Sequence, residues 1–343
     1  MENQLEQKIT KAQERIESLY YETKGHCYLS FSGGKDSMVV LALIKQCEEI
    51  YTIPKAAIPA VFCDTGIELG ATRDFVLWCK ENYYQNVQVI RPQVSFDWIV
   101  KNKGKPIKSK LKSEFIERYK NNKNSKALYY LLGEKNYQKT KLADKDIHIL
   151  HDNFDIKISN SCCEYLKKKP FLQYQKEHEI KGYFTGIRNA EGGARELATI
   201  KRLKNNGKIC IATKAGCVVK MPIIDWTNDD VEQFIKKYEV PLSKAYTKYE
   251  LERTGCFLCP FSLQLKKNLE KLYIYEPSRY KAAMYWLKDV YIAQNVNLEF
   301  DEQYEKERIE KWITLYSKMC YEMLQKYRPQ KADKFKSIQM SLF

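Results

Sequence analysis

The sequence predicts an α/β fold: a doubly wound parallel sheet carrying a basic insertion and a helical C-terminal segment. Three observations predict it. Short apolar runs rich in strand formers recur at 26–31, 56–64 and 86–92. Between them lie stretches of helical length and apolar density, 38–47 and 71–83. The connections are short, and strands alternating with helices in this way build a parallel sheet covered on its faces.

Residues 1–24 read as an amphipathic helix, broken at Gly25. The run HCYLSF is the first strand, SGGKDS the turn, and MVVLALIKQC the first crossover helix. AAIPAVFCD follows as a second buried strand, then Thr65-Gly66, the helix ATRDFVLWCKENY and a third strand, NVQVIRP. Ligands of such sheets bind beyond the carboxyl ends of the strands. SGGKDS and CDTG should therefore share one rim. The stretch 101–126 carries ten basic residues against Glu114 and Glu117. It reads either as a solvated surface insertion or as a phosphate-backbone contact surface. A fourth strand, IKGYFTGIR, returns near 180, and a helix capped by Thr227, with Asp230 three residues on, follows MPIIDW. From 264 to 328 aromatic and charged residues alternate at helical spacing. The expected division is a nucleotide-binding domain over 1–262, with the basic insertion at 101–150, and a helical segment with a flexible tail over 263–343.

Composition narrows the function classes. The 343 residues are 44% hydrophobic and 29% charged, with 14 Gly and 10 Pro, as in a globular enzyme. No run of eighteen apolar residues exists, and the polar opening residues lack the apolar core of a signal peptide. The expectation is a cytoplasmic protein with no membrane partner. Lys and Arg number 58 against 43 acids, a formal charge of +15, which favours polyanions: nucleic acid first, nucleotides second. Eleven cysteines in such a chain argue against a disulfide framework. Seven of them (Cys27, Cys47, Cys63, Cys79, Cys210, Cys217 and Cys320) sit singly in apolar or amphipathic stretches and read as small hydrophobes. His26, His148, His151 and His178 form no catalytic dyad and read as structural.

The segment Ser32-Gly33-Gly34-Lys35-Asp36-Ser37 is the strongest chemical signal. Two glycines let the backbone wrap a polyphosphate, and the N–H groups of the following helix point at the anion. Lys35 can neutralise phosphate charge, and Ser32 and Ser37 can donate hydrogen bonds. Asp36 is odd in a phosphate pocket unless a cation sits there, which assigns it to Mg²⁺. The segment lacks the Gly-x-x-x-x-Gly-Lys-Ser/Thr of the Walker loop. It resembles the loop of the ATP pyrophosphatases, which cleave ATP between its α and β phosphates and activate a substrate by adenylylation.

Further segments resemble the phosphoadenosine phosphosulfate reductase family of that superfamily, whose fold is adenine nucleotide alpha-hydrolase-like. Asp64-Thr65-Gly66 with Glu68 and Thr72 is similar to its second strand end. Gly186-x-Arg188-x-x-Glu191-x-x-x-Arg195 is similar to its arginine motif, which faces the nucleotide phosphates. Pro222-Ile223-x-Asp225-Trp226-Thr227 with Val231 is similar to the segment before its last helices. The resemblance spans about residues 25 to 262. It implies that Asp64, Thr65, Gly186, Arg188 and Arg195 join the loop around the nucleotide, with Lys35, Asp36 and Arg188 catalytic. A planar guanidinium at the position of Arg188 suits bidentate phosphate binding. For Arg195 an ion pair with Glu191 on a helix surface stays open beside that role.

Cys162-Cys163 and Cys256-x-x-Cys259 resemble the iron–sulfur ligands of one reductase subgroup. Leu166, Lys167 and Pro170 after Cys163, and Gly255 before Cys256, match as well. The resemblance implies a 4Fe–4S cluster; zinc and unligated thiols stay open. Two departures point away from sulfite production. The C-terminal tail lacks the Cys-Gly and nearby His of the sulfonucleotide reductases, and the phosphate loop is intact where theirs is degenerate. What remains resembles the ATP-dependent enzymes that insert sulfur into nucleic acid, notably the member of bacterial DNA phosphorothioation systems. That implies nucleic acid, DNA above RNA, as partner, and a sulfur donor such as a cysteine desulfurase. The alternatives are a sulfonucleotide (adenylyl sulfate or phosphoadenylyl sulfate) reductase and a non-catalytic protein that binds nucleic acid or the sliding clamp. The last five residues, Gln339-Met340-Ser341-Leu342-Phe343, resemble the peptide by which bacterial proteins bind the DNA-polymerase sliding clamp; a frayed terminus is the plainer reading.

Overall fold

Alternation along the first strand sets the layers of the molecule. In the computed structural model β1 (Cys27–Ser30) turns Cys27 and Leu29 into one apolar cluster and Tyr28 into another. β2 (Ala60–Cys63) divides Ala60 and Phe62 from Val61 in the same way. A strand buried on both faces reads as continuously apolar, as these runs do. The structure describes residues 2–50, 52–134, 138, 140–191, 210–214 and 216–342.

These residues form two units, residues 1–93 with 166–255, and residues 94–165 with 256–343. The first contains the sheet. With β3 (Val87–Ile90), β4 (Gly182–Phe184), β5 (Ile211–Lys214) and β6 (Cys217–Lys220), the strand order is β3-β2-β1-β4-β6-β5. All neighbours pair in parallel except β5 and β6, an edge hairpin that the sequence reading did not include. The larger cluster packs α1 (Glu2–Glu22), α2 (Lys35–Glu49) and α3 (Gly70–Asn82) on one face. On α2 every residue from Ser37 to Ile44 is buried, so this helix is set deep in the unit. The smaller cluster, on the other face, stacks Tyr28 on Tyr183 and on Phe171 of the helix Lys169–Glu177. The predicted cap at Thr227 forms in full: Thr227 and Asp230 exchange side-chain and backbone bonds, and Lys8 pairs with Asp230 at 2.5 Å.

The chain runs β1-β2-β3 outward in one direction and then returns to place β4 on the other side of β1. The strand order therefore reverses between β1 and β4, and such a switch point opens a crevice at the carboxyl ends of the two strands.

The second unit is helical. The basic stretch folds as helices Phe96–Asn102, Lys110–Asn121 and Ala127–Leu132, followed by a 3-10 segment, Asp144–Leu150. It shares this unit with the helices from Leu265 onward. Buried polar links hold it: Lys108 pairs with Asp146 at 2.6 Å, and the Lys108 amide donates to Gln294 at 2.6 Å. The helix Pro329–Leu342 continues to the end of the described chain. Its Lys, Ala, Gln and Met residues are good helix formers. Among the described residues no helix is long and apolar enough to cross a membrane.

Candidate functional site

At the switch point, β1 ends and the chain turns through Ser32–Gly34 into α2. Gly33 takes φ +68°, and a Cβ there would lie 2.8 Å from Val76 Cγ2, so only glycine fits without strain. Gly34 caps α2 in an extended conformation with no side-chain hydrogen bond of its own. The two serines brace the turn: Ser32 Oγ lies 3.0 Å from Ser37 Oγ, and Ser37 Oγ donates to Gly34 O at 2.8 Å. The backbone is thus held in shape by the loop's own residues, and the N-terminus of α2 opens onto a cavity of 570 Å³.

β4 supplies the opposite wall. Gly186 follows it, and a Cβ there would lie 2.7 Å from the carbonyl carbon of Asp36 and 2.9 Å from Ser37 N. The β4 turn and the first turn of α2 are therefore in backbone contact. Arg188, 2% exposed, donates to Asp36 at 2.8 Å, to Asn228 at 3.0 Å and to Trp226 O at 3.4 Å. Its guanidinium lines the cavity while bracing Asp36 from behind. Removing Asp36 would cost about 3 kcal/mol or more, because the buried Arg188 charge loses its carboxylate. Lys35 and Asp36 line the same cavity.

The other predicted nucleotide residues do not line this cavity or fall outside the described residues. Asp64, at the end of β2, accepts from Arg73 at 3.1 Å and pairs with Arg91 at 3.5 Å; Thr65 is bound to Glu68 through backbone and hydroxyl. Neither Asp64 nor Thr65 is part of the cavity wall that Lys35 and Arg188 share. Arg195 falls outside the described residues.

Residues that sequence reasoning missed close the cavity from 228 to 254. Tyr246 Oη accepts from the Lys35 amide at 3.1 Å and lies 3.3 Å from Thr254 Oγ1. A Cβ on Gly34 would meet those two oxygens at 3.1 and 2.8 Å. Burial raises the Tyr246 pKa, with the bonds from Thr254 and Lys35 opposing, so the phenol stays protonated. Its oxygen sits where an anion at the helix N-terminus would accept the same N–H. Asn228, Glu232 and Arg253 add polar lining. The signal available was a Tyr, an Arg and a Thr just ahead of the cysteine pair, too unspecific to assign alone.

The four paired cysteines all belong to the second unit. Cys256 and Cys259 bracket a tight turn, with the Cys259 amide donating to Cys256 O at 3.1 Å. The buried Tyr291 hydroxyl anchors that turn by donating to Leu258 O at 2.8 Å. The Cys162 thiol is buried and pushed up by its hydrogen bond to Cys163, by burial, and then by the charges of Cys163, Cys256 and Cys259. The other three thiols therefore all lie within electrostatic reach of Cys162. Among the described residues, however, no three His, Cys, Asp or Glu side chains converge as a metal-binding set.

The family of the phosphoadenosine phosphosulfate reductase domain matches residues 26–147 and 110–262. An uncharacterised protein of Methanocaldococcus jannaschii is 26% identical over 277 residues, 76% of this chain and 51% of that protein. The chain thus spans about half the length of this relative. A phosphoadenosine 5'-phosphosulfate reductase of Aliivibrio fischeri is 23% identical over 68% of each chain. Among solved structures, a phosphoadenylyl-sulfate reductase from Candida auris in a phosphate complex aligns at 16% identity and a TM-score of 0.40, covering 69% of this chain and 84% of that one. With its sheet, its SGGKDS turn and its arginine segment all inside the matched residues, the chain belongs to the phosphoadenosine phosphosulfate reductase domain family.

Proposed function

We propose that the protein is an ATP pyrophosphatase that adenylylates nucleic acid, DNA in preference to RNA, so that sulfur can replace an oxygen. The observation that carries this reading is the intact SGGKDS turn, self-braced by Ser32 and Ser37 and opening at the switch point. The loop amides and Lys35 would hold the phosphates of ATP. Asp36, braced by Arg188 on one oxygen and with its side chain 22% exposed, is the residue that would hold Mg²⁺. Displacing Tyr246 Oη from the Lys35 amide would free that donor for phosphate.

In the reaction, an acceptor oxygen attacks the α-phosphorus, a new O–P bond forms, and pyrophosphate leaves. A sulfur nucleophile then displaces AMP from the activated position. Arg188 acts as a positioning residue by fixing Asp36. A 4Fe–4S cluster, held by Cys162, Cys163, Cys256 and Cys259, would supply a site from which sulfur is delivered. The fit rests on the donor set: four thiols brought together in one unit, with the 256–259 turn pinned by Tyr291. The formal +15 charge favours a polyanionic acceptor. A cysteine desulfurase as sulfur source and a sliding clamp docking on Gln339–Phe343 extend the same reading, as does a cytoplasmic location.

The test is anaerobic incubation of the iron-loaded protein with ATP, labelled sulfide and oligonucleotide. Label in the oligonucleotide, dependent on ATP, is the expected result; none under any acceptor removes the reading. The named reductase relatives favour a second reading, reduction of a sulfonucleotide. Cys320 gives it little support as a nucleophile. The residue is fully buried, 3.3 Å from His148, and burial pushes its thiol up to about 12. Sulfite release from adenylyl sulfate would establish that alternative.

A further inference from the structure

The short helix Phe96–Asn102 carries an aromatic and basic face that the nucleotide site does not use. Ser95 caps this helix by accepting from the Trp98 amide at 3.1 Å, which fixes where Trp98 emerges. The Trp98 side chain is 38% exposed, and its ring centroid lies 5.8 Å from that of half-buried Tyr165, tilted by 49°. Lys103 Nζ lies 5.9 Å from the Trp98 centroid and 5.7 Å from that of Tyr165, a cation shared by two rings. On the same helix Lys101 pairs with Asp97 at 2.6 Å, and Asp97 also accepts from Trp286 Nε1 at 3.2 Å. Beside Trp286 stands Tyr285, 72% exposed.

Single exposed apolar side chains are ordinary on a protein surface. Two neighbouring rings that share one ammonium, with a third exposed aromatic beside the same helix, form a different object. Aromatic faces accept nucleobases of any sequence, and lysines among them take the intervening phosphates. A duplex keeps its base faces stacked inside and presents only edges and backbone. Of the ten basic residues from 101 to 126, Lys101, Lys105, Lys108, Arg118 and Lys123 are held in ion pairs, while the exposed Lys110 and Lys126 add charge for a strand of phosphates. Tyr165 also lies two residues beyond Cys163, in the π-helical turn Glu164–Lys168.

We infer that Trp98, Tyr165 and Lys103 form a stacking platform for an unpaired nucleic-acid strand, with Tyr285 extending it. The inference rests on the nucleic-acid reading above and specifies the form of the acceptor. An unpaired strand is also what chemistry on a base requires when the reacting atom is otherwise shielded in the duplex.

The experiment uses the full chain and measures fluorescence anisotropy of a labelled oligothymidylate and of a duplex of equal length. Trp98→Ala combined with Tyr165→Ala should weaken single-strand binding about tenfold or more. Trp98→Phe alone should retain it, and duplex binding by the double variant should change less than about twofold. Equal losses on both ligands, or no loss on the single strand, would overturn the platform. A wild-type protein that binds neither ligand would remove the nucleic-acid reading itself; wild-type binding unaffected by the substitutions removes the platform alone. Should the double variant not fold, photocrosslinking of wild-type protein to an iodouracil-containing strand decides. Crosslinks in peptides containing Trp98 or Tyr165 support the inference, and crosslinks confined elsewhere reject it.

Discussion

The phosphate loop and the cysteine quartet are each built from few residues, yet they are held in opposite ways. The loop is six consecutive residues whose serines bond to each other and to the loop backbone. Its shape is complete without a ligand. The quartet comes from Cys162-Cys163 and from a turn almost a hundred residues later, and the other three thiols all act on Cys162. Ionised thiols at such a site repel one another. A site made of backbone can be preorganised by folding alone, whereas a site made of thiolates is completed by what it binds.

This contrast is open to test by breaking each side separately. The largest effect is expected from Gly186→Ala, whose Cβ would lie within 2.9 Å of three backbone atoms of Asp36 and Ser37. Backbone cannot yield as a flexible side chain can, so α2 must shift. Calorimetric titration with ATP should show affinity lowered about 100-fold, or about 2.7 kcal/mol. Iron content after anaerobic reconstitution should be unchanged. Cys256→Ser should do the reverse, losing most of the iron while ATP affinity stays within about twofold. If either variant damaged both sites equally, the two sites would not be independent in the way their construction implies.

A smaller effect sharpens the picture of the helical unit. His148 is fully buried beside Trp312 and Tyr316, and burial, with the charge of Lys108, pushes its pKa down to about 3. The unfolded chain takes up that proton below about 6.5, whereas the folded chain stays neutral until about 3. Stability should therefore fall as the pH is lowered through this window, by at most about 1.4 kcal/mol per pH unit. Between pH 6.5 and 5.5 the wild type should lose about 1 kcal/mol that His148→Leu does not, measured by urea unfolding of both proteins. Parallel pH profiles would contradict this assignment.

Legibility in the sequence followed the same divide. The strands, α2 and the SGGKDS turn could be read because local pattern and local chemistry agree there: apolar runs, paired glycines, one lysine. The capping box at Thr227 was legible for the same reason. Tyr246 and Thr254 were not, because their place over Gly34 depends on how residues some 200 positions later return to the loop. The β5–β6 hairpin also escaped, its strands being four residues each and only partly apolar. The sequence put CDTG and SGGKDS on one rim, and both do stand at strand ends. The strand order, however, sets Gly186 and Arg188 against the loop and leaves Asp64 with Arg73 and Arg91. Which neighbour a strand receives is settled by topology, to which a run of apolar residues is blind. The basic insertion and the helical segment from 263 were legible as separate stretches, but that 94–165 and 256–343 belong to one unit was not, because a linear pattern does not say which distant stretches pack together.

The central claim is that the loop holds ATP for cleavage between its α and β phosphates. Product analysis of α-labelled ATP, incubated anaerobically with the protein, Mg²⁺ and single-stranded oligonucleotide, tests it most directly. Labelled AMP, free or joined to the oligonucleotide, together with one pyrophosphate for each AMP formed, is the predicted result. Labelled ADP with orthophosphate, or ATP returned intact under every acceptor tried, would contradict it.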